Sequence, residues 1–150
     1  MANEAYRAVF LRVHPTGKMV LSLTTESDGR EAQYAQLVAT ELGVPALDVK
    51  VVPADLDRFG EGHGFNTAPS EGTSAAIQSA TGKIRAKAQL LAGVALDAPA
   101  ESLRWDNGAF VTEDPPQIKT IADVALYAHG TGALPPGVEG GLDAQTVYRN

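Results

Sequence analysis

The chain contains no cysteine, which excludes disulfides, thiolate metal sites and iron–sulfur ligation by its own residues. Any redox centre must be borrowed or held through other groups. No apolar run approaches the ~20 residues needed to span a bilayer, and Met1-Ala2-Asn3-Glu4 lacks the basic and apolar regions of a secretory signal. A soluble, cytoplasmic protein is the expectation. Basic residues form no stripe and the formal net charge is -6, which argues against a nucleic-acid partner, because phosphate neutralisation dominates such binding. Neither a phosphate-loop run G-x-x-x-x-G-K-[ST] nor a zinc motif H-E-x-x-H occurs, and no repeat or low-complexity tract stands out. What is present is 150 residues, 44% of them apolar and 20% charged. A globular domain of that size hides roughly 68–70% of its unfolded surface.

Hydrophobic periodicity supplies the element order. Val9, Leu11 and Val13 alternate with Phe10 and Arg12, Pro15-Thr16-Gly17-Lys18 turns the chain, and Met19, Leu21 and Leu23 alternate with Val20 and Ser22, which reads as two paired strands. Ala35, Val38, Ala39 and Leu42 fall on one helical face, and Gly43 before Pro45 is a stop signal, so a helix is expected over about 30 to 42. Val49, Val51 and Val52 before Pro53 suit a third strand. Ile77, Ala80, Ile84, Ala88, Leu91 and Ala95 keep helical spacing through the segment from about 70 to 95. Gly82 inside it costs about 1 kcal/mol relative to alanine, either for a close backbone approach or as a tolerated surface glycine. Asp106-Asn107-Gly108 between Leu103-Arg104-Trp105 and Ala109-Phe110-Val111 is a hairpin signal. Thr120 with Asp123 three residues on opens a capped amphipathic helix through Ile121, Val124, Ala125 and Ala128.

The order ββαβαββα predicts an α+β fold with helices on one face of a mostly antiparallel or mixed sheet. A single domain over residues 1–129 is expected. Beyond His129, glycine and proline dominate, and 130–150 reads as a connection.

Two glycine-containing loops precede the two long helices: Ser27-Asp28-Gly29 and the segment from Gly60 to Ser70. Helix starts carry unpaired amides and partial positive charge, so such loops suit phosphate or another anion. Gly60, Gly62 and Gly64 have G-x-G-x-G spacing, lie several residues before the helix and have no acidic ribose partner near 80 to 84, which disfavours a dinucleotide fingerprint. His14, His63 and His129 lack ligand spacing with one another, and of the three only His63 lies in a glycine loop. Asp55 and Asp57 read as solvated, Lys83, Arg85 and Lys87 as the exposed side of the long helix, and Trp105 as a core anchor. No nucleophile, base and orienting group can be assembled.

The ordered run Gly29, Ala35-Gln36, Ala39, Leu42-Gly43-Val44-Pro45, Asp48-Val49-Lys50-Val51-Val52, Asp55, the Gly60 to Gly64 loop, Ile84-Arg85 and Lys87 resembles the cofactor region of the molybdenum hydroxylase large subunits. That is the family of xanthine dehydrogenase, aldehyde oxidase and aerobic carbon monoxide dehydrogenase. The family pattern runs G-Q-G-x-x-T-x-x-A-Q-x-x-A-x-x-L-G-[VI]-P, then D-V-x-V-V, then a loop with a G-S-R-S/T core. The resemblance covers most of the chain, from about Phe10 to Trp105. It implies a molybdopterin cofactor with molybdenum, with or without the cytosine dinucleotide extension. It also implies hydroxylation of a carbon centre or oxidation of CO with water as oxygen source.

Carried over position by position, Ser27, Asp28 and Gly29 fall on the first loop, and Gly64, Phe65, Asn66, Thr67 and Ala68 on the second. Asp28 stands where the family has Gln, and Asn66-Thr67 replaces the Ser-Arg pair. Because a carboxylate disfavours a nearby phosphate, a non-catalytic interaction domain of the same ancestry is the alternative. The family's upstream Gly/Phe loop and downstream catalytic Glu are not found in this chain, so no catalytic residue is assigned and activity alone is not expected. The resemblance implies that the chain is one piece of a large subunit, with iron–sulfur and flavin subunits or domains as electron-transfer partners.

Overall fold

The computed structural model describes residues 7–59, 72–113, 115–130 and 134–148. Strands β1 (Ala8–Val13) and β2 (Met19–Leu23) form the expected hairpin, with Leu11 opposite Leu21 and Val13 opposite Met19. Helix α1 (Glu31–Leu42) buries Tyr34, Val38, Ala39 and Leu42 and ends at Gly43, whose φ of 67° is left-handed. Strand β3 (Val49–Val52) then returns parallel to β2. A parallel pair requires a crossover of a dozen or more residues, and α1 provides it. After a short helix α2 (Leu56–Phe59), the long α3 (Gly72–Leu96) lies over the sheet and buries Ile77, Ala80, Ile84, Ala88 and Leu91.

The four-stranded sheet has the order β3-β2-β1-β7, where β7 spans Asp143–Val147, and a second, three-stranded antiparallel sheet runs β4-β5-β6. The second comprises β4 (Arg104–Asp106), β5 (Ala109–Val111) and β6 (Ile118–Thr120). Helix α4 (Ile121–His129) follows directly. Thr120 and Asp123 form its capping box: Asp123 N donates to Thr120 Oγ1 at 3.1 Å and Thr120 N to Asp123 Oδ2 at 3.0 Å. The α+β class holds, with the strands divided between two sheets.

Strand β7 (Asp143–Val147) lies within the segment expected to be a connection, and it pairs antiparallel with β1. Lys83 and Lys87 of α3 tie the same segment down by donating to the backbone oxygens of Gln145 and Glu139, each at 2.9 Å. The local signal for β7 is weak because its inward residues are only Ala144 and Thr146. Its partner is more than a hundred residues away in sequence.

One core joins these elements. Val9, Leu11 and Val13 of β1 and Met19, Leu21 and Leu23 of β2 face α1 and α3, with Val38, Leu42, Ile77, Ile84 and Leu91 packed on them. Full burial of one such side chain stabilises by about 1.5–3 kcal/mol. Gly82 is exposed, and no heavy atom lies within 4 Å of the point a Cβ would occupy, so it is the tolerated surface glycine. The close approach on α3 belongs to Gly93 instead, where a Cβ would sit 2.9 Å from Ala98 O. No described helix is long and apolar enough to cross a membrane.

Candidate functional site

The strand register gathers the site at one edge of the larger sheet. Val9 lies opposite Leu23, Ser22 beside Val52 and Ala8 opposite Val147, so β2, β3 and β7 all end where β1 begins. Ligands of open sheets containing parallel strands commonly sit beyond the carboxyl ends of those strands. Past the strands the chain remains knitted together: Ala54 N donates to Thr25 O at 2.7 Å and Asp55 N to Leu23 O at 2.9 Å. Thr73 in the first turn of α3 shares a 2.9 Å hydrogen bond with the Tyr148 hydroxyl just beyond β7. The starts of α1 and α3 therefore meet the same edge. Phe59 and Gly72 bracket the segment that carries the second loop.

The first loop is held by its own side chains. Asp28 Oδ1 accepts from Arg30 N at 3.0 Å and Oδ2 from the Tyr34 hydroxyl at 2.7 Å, while the Ser27 hydroxyl donates to Glu31. Burial pushes the Asp28 carboxyl up, but the Tyr34 phenol, the Arg30 amide and the Arg30 charge together hold it below its ordinary value. The Tyr34 hydroxyl is pushed up to about 12, first by burial and then by its bond to Asp28. Asp28 is thus a turn clamp whose charge is turned toward α1. Gly29 has φ 75°, with no atom of the described residues within 4 Å of the point a Cβ would occupy, and no side chain caps the start of α1. The first-turn amides of α1 are the donors that a helix start leaves over for an anion.

Among the expected site residues, Ser27, Asp28 and Gly29 lie together on this edge. Gly64, Phe65, Asn66, Thr67 and Ala68 lie outside the described residues, as does His63. His14 and His129 are turn and anchoring groups: His14 Nδ1 is 3.0 Å from Thr16 Oγ1, and His129 Nε2 is 3.2 Å from Val13 O. Trp105 packs on Phe110 with ring centroids 4.9 Å apart and carries the Arg85 guanidinium 4.5 Å above it.

Asp55 differs from the solvated reading. Its Oδ2 accepts from the buried Ser22 hydroxyl at 2.6 Å and its Oδ1 from Arg58 N at 3.2 Å, so it caps α2 and pins it to the sheet. An aspartate before a short helical run was the available signal. Behind α2, on the sheet face away from α1 and α3, a groove of about 540 Å³ is lined by Phe10, Arg12, Ser22, Asp55, Asp57 and Arg58, with His14 and Val20. Arg58 lies 4.0 Å over the Phe10 ring there. Among the described residues no group of three His, Asp or Glu could hold a metal ion.

These features define an α+β domain with an uncapped helix start at one end of its larger sheet and, among the described residues, no cluster of three His, Asp or Glu suited to a metal ion. The chain belongs to the molybdopterin cofactor-binding domain family, whose profile it matches over residues 1–150. It is 35% identical to the carbon monoxide dehydrogenase large chain of Afipia carboxidovorans over 144 residues, covering 92% of this chain and 17% of that one. The large chain from Hydrogenophaga pseudoflava is 36% identical with the same coverage. A crystal structure of the Cu,Mo-CO dehydrogenase in its carbon monoxide reduced state superposes with TM-score 0.80 at 34% identity, over 96% of this chain and 18% of that chain. Quinoline 2-oxidoreductase from Pseudomonas putida 86 gives TM-score 0.73 at 28% identity, over 96% of this chain and 19% of that chain.

Proposed function

We propose that this chain binds molybdopterin, carrying molybdenum, at the carboxyl edge of β2 and β3, as one segment of the large subunit of a molybdenum hydroxylase. The observation that carries the proposal is the convergence of the open Gly29 turn, the uncapped start of α1 and the start of α3 on that edge. The residues fit the group. Gly29 leaves room for close approach, and both Asp28 oxygens are engaged within their own loop. Gly29 and the first-turn amides of α1 would hold pterin or phosphate oxygens, and Gly64 to Ala68 would supply the second loop. When bound, the cofactor supplies the redox centre for hydroxylating a carbon centre or oxidising CO with water as oxygen source.

The same reading takes the cofactor with or without the cytosine dinucleotide extension, assigns iron–sulfur and flavin subunits or domains as partners and places the assembly in the cytoplasm. Cofactor retention tests it. In the complete large subunit, Gly29→Val should lower the recovered pterin fluorescence and molybdenum content several-fold, and nucleotide analysis of the extracted cofactor reports the dinucleotide. Unchanged retention refutes the site. A second reading, an interaction domain that has lost cofactor contacts, draws on the anionic Asp28. Native mass spectrometry after crosslinking separates the two, because a pterin crosslinked to this segment contradicts the second.

A further inference from the structure

Two buried polar atoms among the described residues have no hydrogen-bond partner: Arg7 Nε and Thr146 Oγ1. They occupy the same corner. Thr146 lies opposite Val9 in the β1–β7 ladder, and Tyr148 N donates to Arg7 O at 3.0 Å one step further on. Strand alternation therefore puts Arg7, Val9, Thr146 and Tyr148 on the face that α3 covers. Tyr148 in turn touches Thr73 in the first turn of α3, so the corner belongs to the edge where β2 and β3 end.

A guanidinium is charged at every accessible pH and carries only donors, and a buried donor without an acceptor is costly. No carboxylate among the described residues pairs with Arg7. The ion pairs among the described residues use Arg12 and Arg104, while Asp28 and Asp55 on the same edge are bonded to Tyr34 and Ser22. No acidic residue lies in the described first turn of α3, Gly72 to Ala75. The missing partner is an acceptor that the described residues do not provide.

We propose that Arg7, with the Thr146 hydroxyl as a second donor, anchors a phosphate or pyrophosphate oxygen of the bound cofactor at the α3 end of this edge. The planar guanidinium fork matches a phosphate better than a point charge does. This rests on the cofactor-binding reading above and adds residues that neither glycine loop contains.

The test titrates inorganic pyrophosphate into the folded chain by calorimetry, with the urea midpoint of each variant measured alongside. Arg7→Gln should weaken binding about tenfold or more, and Arg7→Lys should recover part of it by keeping the charge without the fork. Thr146→Val should weaken binding several-fold with an unchanged or higher urea midpoint, whereas a merely structural hydroxyl would leave binding unmoved. Wild-type affinity in both Arg7→Gln and Thr146→Val, or no binding by the folded wild type, overturns the proposal. Pterin recovery from the complete large subunit keeps the two readings apart. If Gly29→Val loses pterin while the Arg7 and Thr146 variants retain it fully, the cofactor reading survives and this one fails. If pyrophosphate binds through Arg7 but no preparation yields pterin, the anion site stands and the cofactor reading fails.

Discussion

Replacing Gly43 by alanine tests the joint between the end of α1 and the smaller sheet. Gly43 ends α1 at φ 67°, and a Cβ there would lie 2.3 Å from both Asn107 C and Gly108 N in the β4–β5 turn. The contact is reciprocal, since a Cβ on Gly108 would lie 2.5 Å from Gly43 O. A left-handed backbone costs a non-glycine residue about 1–2 kcal/mol, and overpacking against atoms that cannot rotate away adds about 1–3 kcal/mol. The variant should therefore lose about 2–5 kcal/mol, a large part of the ~5–15 kcal/mol that holds a typical domain. At about 2–4 °C per kcal/mol for a chain of this size, melting should fall by roughly 4–20 °C. Urea unfolding should show a lower midpoint at unchanged slope. Gly82→Ala is the control, because Gly82 is exposed on α3 with nothing near its side-chain position, and it should gain up to about 1 kcal/mol. A Gly43→Ala protein that melts with the wild type would show that α1 and the β4–β5 turn do not meet through this glycine pair.

The Asp28–Tyr34 clamp makes stability depend on pH at both extremes. Asp28, with its folded pKa depressed, contributes above its unfolded value near 3.8, and that contribution is lost as pH falls through the folded value. Tyr34, with its pKa raised to about 12, contributes fully below about pH 10 and loses its contribution as pH rises toward 12. Denaturation midpoints across pH should show the alkaline decline in the wild type and a flatter curve in Tyr34→Phe. Ala54 has φ 45°, a conformation costly for a residue with a Cβ, at the point where its N–H meets Thr25 O. Ala54→Gly should raise the urea midpoint by an amount worth about 1 kcal/mol, and a clear loss of stability would argue that the strain is absent.

Much of the fold was readable wherever contacts are local. The β1–β2 hairpin, the stop at Gly43, the capping box at Thr120 and the Asn107-Gly108 turn each depend on residues a few positions apart, whose conformations follow from sterics and nearby hydrogen bonds. The long α3 was readable because its apolar spacing persists through several turns. Strand β7 and the division into two sheets were not, since both depend on pairings between distant segments. At the site, the Ser27–Gly29 turn was visible as glycine before a helix. The charge on Asp28 could be counted from the sequence, but its engagement by Tyr34 and Arg30 could not.

The amino-acid order was enough to establish an α+β chain with two glycine approaches to two helices, because those properties reside in composition and short-range periodicity. Folding decided that both helix starts open onto one edge, that Asp55 pins α2 through Ser22, and that Arg7 Nε and Thr146 Oγ1 lie on one sheet face without partners among the described residues. Those outcomes arise from strand register, which places residues separated by more than a hundred positions side by side and has no expression in local spacing.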